Sequence, residues 1–180
     1  MPYYEVSHSY PLTGAQKQDL ARALTHSHIK AFNTPSMFVN VRFIKEDPSQ
    51  ENIFVGGELE NKTYNGIVGY VRTSAARTKA DFDRLAAEFE EAWYAVVGSG
   101  TADKGKHPYL TQDAEVRLHV IGLLPIVTAR EAGFDIPVAG EEAPWVREKL
   151  PAFKELAEDG HPGFVKLLSE VKAVTGGASV

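Results

Sequence analysis

Four residues in this 180-residue chain have types that could move a proton on a small acid: Pro2, His28, Arg72 and Glu131. Pro2 directly follows the initiator methionine, and enzymes that trim that methionine act readily when the next residue is small. The expected mature chain therefore opens with a free prolyl amine. An α-amino group titrates at about 7.7–8.0, and an apolar pocket beside a cation pulls that value toward neutrality. A base tuned in this way can both take and return a proton. The plainer reading of Pro2 is a stiff start to an edge strand, where its missing N–H does no harm.

A prolyl base needs neighbours that bind an anionic, enolisable substrate. His28 falls on the inward stripe of a helix, where leucine would pack better, and is either a hydrogen-bonded core residue or a group facing the ligand. Arg72 ends the apolar run Ile67-Val68-Gly69-Tyr70-Val71. Its planar guanidinium can grip a carboxylate through two parallel hydrogen bonds, or form a surface ion pair. Glu131 lies in Pro125 to Gly133, read as a short turn or helical segment. A salt bridge to Arg130 is its plainer use.

The elements that must position these groups follow from periodicity. Tyr3 to His8 reads as a first strand. Thr13 caps a helix over about Gly14 to Phe32, whose inward stripe is Leu20, Leu24, His28 and Phe32. A second strand runs from Phe38 to Ile44, and Ile53-Phe54-Val55 enters a turn at Gly56-Gly57. The order then repeats: a strand over Gly66 to Arg72, a helix over Lys79 to Val97 carrying Phe82, Leu85, Phe89 and Trp93, a loop from Gly98 to Asp113, and a strand over Glu115 to Gly122. Two β-α-β units, about 1–60 and 61–137, predict an α+β fold with a mixed four-stranded sheet and two helices on one face. Residues 138–180 form a C-terminal helical extension of two amphipathic helices, using Trp145, Leu150, Phe153 and Leu156 and then Phe164, Leu167, Leu168 and Val171. Gly176 to Val180 is expected to fray.

Composition narrows the partners. Hydrophobic residues at 43% and charged residues at 24% fit a globular protein, and a net charge of −5 gives no reason to expect nucleic acid. No cysteine is present, which removes disulfides and thiolate chemistry. No apolar run reaches the roughly 18–20 residues of a membrane span, and the start lacks a secretory pattern, so a cytoplasmic protein without membrane contact is expected. No pattern supports a metal or a cofactor: His26 and His28 face different sides of their helix, and Gly98-Ser99-Gly100 lacks the lysine of a phosphate loop.

The chain resembles the tautomerase superfamily, and within it the group of cis-3-chloroacrylic acid dehalogenase. The resemblance is carried by Met1-Pro2, Leu12-Thr13 with Lys17, Thr25 and His28, then Phe54-Val55-Gly56-Gly57, Gly69-Tyr70-Val71-Arg72, and Pro125 with Glu131-Ala132-Gly133 and Ile136-Pro137. It implies Pro2 as proton carrier, His28 and Arg72 as binders of the substrate carboxylate, Glu131 as the group that activates water or aligns the proline, and a homotrimer. Two positions depart from that pattern. The family's second arginine follows the first within three residues, whereas here Thr73 to Ala76 precede Arg77, which either reaches the site through a bulged loop or stays solvated. The family's water-activating tyrosine falls at Val120, with His119 beside it on the opposite face of the strand.

The preferred expectation is a cofactor-independent tautomerase acting on a small 2-oxo or enol carboxylic acid. One alternative is a hydratase or dehalogenase of a 3-haloacrylate-type acid, weakened by the missing phenol. Others are tautomerisation of a larger biosynthetic intermediate, or a non-catalytic binding protein should Met1 be retained and Pro2 nitrogen stay an amide.

Overall fold

The computed structural model describes residues 1–51, 53–59, 63–98 and 113–174. Strand β1 (Tyr3–His8) alternates, with Tyr4, Val6 and His8 buried and the residues between them half-buried. Helix α1 (Gly14–Phe32) starts on a reciprocal cap. Thr13 Oγ1 accepts from the Gln16 N–H (3.2 Å), and Gln16 Oε1 accepts from the Thr13 N–H (3.0 Å). The helix ends where Asn33 turns left-handed at φ 50°, which a short polar side chain tolerates. Leu20, Leu24 and His28 are buried along its inner stripe, as their spacing predicts.

The sheet has the order β2-β1-β5-β6, built from β1, β2 (Asn40–Lys45), β5 (Asn65–Val71) and β6 (Val120–Pro125). β1 runs parallel to β2 and β5 parallel to β6, while β1 and β5 meet antiparallel in the middle. The expected mixed sheet of two β-α-β halves is therefore present. Helix α2 (Lys79–Val97) packs on α1, and Leu20, Leu24, Leu85, Phe89 and Trp93 cover Tyr4, Val6, Ile67 and Val71 of the sheet. Short β3 (Phe54–Val55) and β4 (Glu58–Leu59) pair across Gly56-Gly57, both at positive φ.

Three boundaries differ from the expectation. Phe38 lies in a 3-10 turn (Ser36–Phe38) rather than in β2. The last strand begins at Val120 rather than Glu115. Upstream of it the carbonyls already have side-chain partners: Asn65 Nδ2 donates to Glu115 and Arg117, and Trp93 Nε1 donates to Val116. The segment holding Glu131 is neither a simple turn nor helical. It is a hairpin of β7 (Arg130–Glu131) and β8 (Phe134–Asp135), closed by Ala132 at φ 48° and Gly133 at φ 84°, the left-handed pair a two-residue hairpin turn demands. The expected Gly98 to Asp113 loop, apart from its two end residues, and the Gly176 to Val180 tail lie outside the described residues.

Helices α3 (Glu142–Glu158) and α4 (Pro162–Val174) pack on each other and on the amino-terminal end of β1. Their second core buries Met1, Phe38, Val146, Phe153, Phe164 and Leu167. Phe134 of β8 packs edge-on to Phe153 at 5.1 Å, so the Glu131 hairpin is tied to the extension. Among the described residues no helix is long and apolar enough to cross a membrane.

Gly69 of β5 marks the tightest approach in the sheet. A Cβ there would stand 2.6 Å from both Leu123 Cδ2 and Tyr4 Cε1. Gly69→Ala should therefore cost about 1–3 kcal/mol by overpacking. Gly14→Ala, which meets open space at the start of α1, should be neutral or slightly stabilising. Urea denaturation of both variants checks this contrast.

Candidate active site

Pro2 is buried at the entrance of β1, where its carbonyl accepts the Asn40 N–H at 3.1 Å and extends the β1–β2 ladder by one step. Met1 precedes it with a side chain sunk into the second core, 4% exposed. The pKa of the Met1 amine is lowered to about 5, by burial first and then by the Arg72 charge, against the opposing Glu131 and Glu142 carboxylates. The amino end of β1 thus lies in apolar surroundings within the field of two arginines and two glutamates. That environment favours an uncharged amine.

Arg72 follows β5 directly, and Arg77 lies at the end of a bulged loop where its N–H donates to Ser74 (3.1 Å). Both guanidiniums turn to the same carboxylate. Arg72 Nη2 and Arg77 Nη2 each donate to Glu142 Oε1 at 2.7 Å, and all three side chains are at least 85% buried. Arg72 Nη1 also donates to the Pro137 carbonyl at 2.5 Å. The Arg77 guanidinium sits 4.7 Å from the centre of the Phe32 ring, a cation–π contact that fixes it from behind. Arg77 is buried rather than solvated and shares its carboxylate partner with Arg72.

His28 is a core residue with one hydrogen bond. Its Nδ1 and the Tyr4 hydroxyl lie 2.6 Å apart, and its Nε2 is buried with no hydrogen-bond partner among the described residues. Burial first, then the Arg77 and Arg72 charges and the amino terminus, lower its pKa to about 3, so the ring is neutral. Glu131 makes no salt bridge to Arg130, which pairs with Asp135 instead. Its carboxylate accepts from Asn40 Nδ2, 3.3 Å from each oxygen. Burial raises its pKa, against the Asn40 hydrogen bond and the amino-terminal charge. Asn40 therefore holds Pro2 through its backbone and Glu131 through its side chain.

Arg72, Arg77 and Glu131 all act electrostatically on the amino terminus beside Pro2, and Arg72, Arg77 and that terminus act on His28. Sequence reasoning missed Asn40, Tyr4 and Glu142. The first two had a usable signal, a polar group at a strand start or on an inward position, whereas an acidic residue in a helix's first turn is too common to stand out. Val120 lies elsewhere: it pairs with Gly66, in the row of Ser7, about four residues along the sheet from Tyr3. His119 precedes the strand and stacks on Tyr64 with centroids 5.6 Å apart. A cavity of about 650 Å³ lined by Tyr10, Val97 and Glu115 opens at the far end of α2 from Arg77. It holds none of the five residues.

A family described as "Putative oxalocrotonate tautomerase enzyme" matches residues 1–149. The chain belongs to this tautomerase family. Its fold is similar to that of N1, a member of the cis-3-chloroacrylic acid dehalogenase family, with TM-score 0.64 and 20% identity over 87% of this chain and 99% of N1. The F6 fused 4-OT asymmetric trimer matches with TM-score 0.50 and 20% identity over 74% of this chain and 94% of its own. Pt0534, inactivated by 2-oxo-3-pentynoate, matches with TM-score 0.50 and 15% identity over 74% and 95%. At these identities the likeness establishes the tautomerase fold. A search of curated proteins finds no match.

The buried neutral His28 gives this tautomerase-family chain an acid-sensitive core. Its folded pKa lies below its unfolded one, so the unfolded chain takes up a proton that the folded chain refuses. That contribution to stability is complete above about pH 6.5 and is lost as pH falls toward 3. Between pH 7 and pH 5 the wild type should lose about 2 kcal/mol more than His28→Leu. Chemical denaturation at the two pH values measures the difference.

Proposed function

We propose that the protein is a cofactor-independent tautomerase that moves a proton on a small 2-oxo or enol carboxylic acid, using the Pro2 amine after Met1 is removed. The observation that carries this reading is the placement of Pro2 at the head of β1, joined through Asn40 to Glu131, with the buried Arg72 and Arg77 acting on the amino terminus beside it. Removing Met1 shifts the chain's amine by one residue, about 3.8 Å between Cα atoms, within the same surroundings.

In the proposed reaction the neutral Pro2 nitrogen takes the proton from the carbon next to the keto group. The C–H bond breaks, an N–H bond forms, and the electron pair moves onto the oxo oxygen as an enolate. Arg72 and Arg77 hold the carboxylate and face charge as it develops. His28 offers its unpartnered Nε2 to the same end of the substrate. The prolyl ammonium then returns the proton to a different atom, and Glu131, held by Asn40, keeps that ammonium oriented. Hydration or dehalogenation is the weaker reading, because Val120 carries no hydroxyl and stands rows away from Pro2.

We further infer a homotrimer, with residues 1–137 as the tautomerase-like domain and 138–180 as a cover over its amino-terminal end. A trimer finds support in the face of the sheet opposite α1 and α2, where Tyr3, Tyr70 and Leu124 share one row and Leu124 is 44% exposed. The trimeric F6 fused 4-OT is of the same fold. Light scattering should give three times the chain mass, and a monomer would contradict it.

The catalytic reading predicts an intact mass lighter than the full sequence by one methionine. It also predicts that 2-oxo-3-pentynoate, which inactivates Pt0534, adds one reagent mass to Pro2. Arg72→Ala should lower kcat/KM for an enol acid by about a hundredfold. A chain that retains Met1 and resists the reagent would instead be a binding protein.

A further inference from the structure

The arginine pair that the proposed function assigns to the substrate's carboxylate already holds a carboxylate of this chain. Glu142 is the first residue of α3, and its two oxygens are used unequally. Oε1 accepts from both Arg72 and Arg77 at 2.7 Å, while Oε2 accepts the Gly140 N–H at 2.7 Å. Burial pushes its pKa up, but its own backbone N–H and the two guanidiniums pull harder, and the group stays ionised. An acid entering the site meets no open pair of cations. It meets an ion pair that is complete on one side only.

The incomplete side is Arg72 Nε. That N–H is buried and has no acceptor among the described residues, while the two terminal nitrogens of the same guanidinium donate to Pro137 and Glu142. The Arg72 side chain is 10% exposed, so water does not easily serve the orphan. A buried donor left without a partner is destabilising, because it has lost water and gained no acceptor in exchange. Glu142 cannot reach it, because its second oxygen is tied to Gly140 at the start of its own helix. A free carboxylate has no such tether and can bind two-pronged across Nε and a terminal nitrogen. A 2-oxo carboxylate adds a third coplanar acceptor for the Arg77 guanidinium or the unpartnered His28 Nε2.

We propose that Glu142 is a specificity-determining residue: an internal carboxylate that holds Arg72 and Arg77 until a 2-oxo carboxylate, gripping Arg72 across Nε, displaces it and frees the first turn of α3. This rests on the reading of the arginine pair as the substrate's anion clamp. Two consequences follow from the geometry. An acid that cannot engage Nε only exchanges one monodentate partner for another and gains little, so the site discriminates against weakly chelating anions. Binding is also coupled to the extension, because Glu142 leaves the site only if the segment from Pro137 to the start of α3 shifts with it.

Calorimetric titration with 2-oxobutanoate tests the proposal without requiring turnover. Glu142→Gln keeps the side chain's shape and loses its charge, so it should bind this acid about tenfold more tightly than the wild type. Arg72→Lys, which offers no fork, should abolish the gain when combined with Glu142→Gln. Equal affinity in wild type and Glu142→Gln, or no binding in either, overturns the proposal. Hydrogen exchange of the wild type gives a second readout should the variant fail to fold. Saturating 2-oxobutanoate should speed exchange in residues 138–150, and unchanged or slowed exchange there overturns displacement. A binding gain without any tautomerase turnover would remove the proton-transfer reading and leave the role of Glu142 standing.

Discussion

Charge held away from water is the constraint on which the candidate site depends. An amine, two guanidiniums and two carboxylates share a region where burial lowers the amine and raises Glu131, while hydrogen bonds and the guanidiniums outweigh burial at Glu142. In water such groups interact weakly. In a medium of lower effective dielectric each one biases the next, and the same burial that lowers the amine raises Glu131. The arginines are affordable there only because Glu142, Pro137 and the Phe32 ring occupy most of what they present.

The fold supplies this constraint through two cores rather than one. The first, between the sheet and helices α1 and α2, fixes Tyr4 and through it His28, while Gly69 gives the Tyr4 ring the room it needs. The second, under α3 and α4, covers the head of β1 with Met1, Phe38 and Phe153. Pro2 sits where the two meet. The β1–β2 register brings Asn40 against it, and the β7–β8 hairpin brings Glu131 against Asn40. A small set of backbone pairings thus joins residues separated by more than a hundred positions in sequence.

Much of this was legible from the chain. Both long helices follow from four-residue apolar spacing and a threonine cap, and their observed limits match because those signals are local. The start of β6 did not, since Asn65 and Trp93 claim the carbonyls before it, and a side chain some fifty residues upstream leaves no trace in strand periodicity. The Glu131 hairpin depends on Ala132 accepting a left-handed conformation, which alanine seldom signals. For the site, the resemblance pointed to Pro2, His28, Arg72, Arg77 and Glu131, and the structure puts the two arginines and Glu131 within electrostatic reach of the amino terminus. Glu142 was illegible for a different reason. Its partners are set by how the extension docks, and nothing in the extension's own pattern says which end of β1 it covers.

The proposed chemistry needs a basic, weakly protonated nitrogen at the head of β1, and the ionisation of that nitrogen is the quantity to measure. Selective ¹⁵N labelling of proline and NMR titration of the Pro2 resonance would give its pKa in the folded protein. A proton-transferring Pro2 should titrate as a secondary amine well below the ordinary α-amino value of about 8. A Pro2 nitrogen that stays an amide at every pH, or one that titrates at or above that ordinary value, would contradict it.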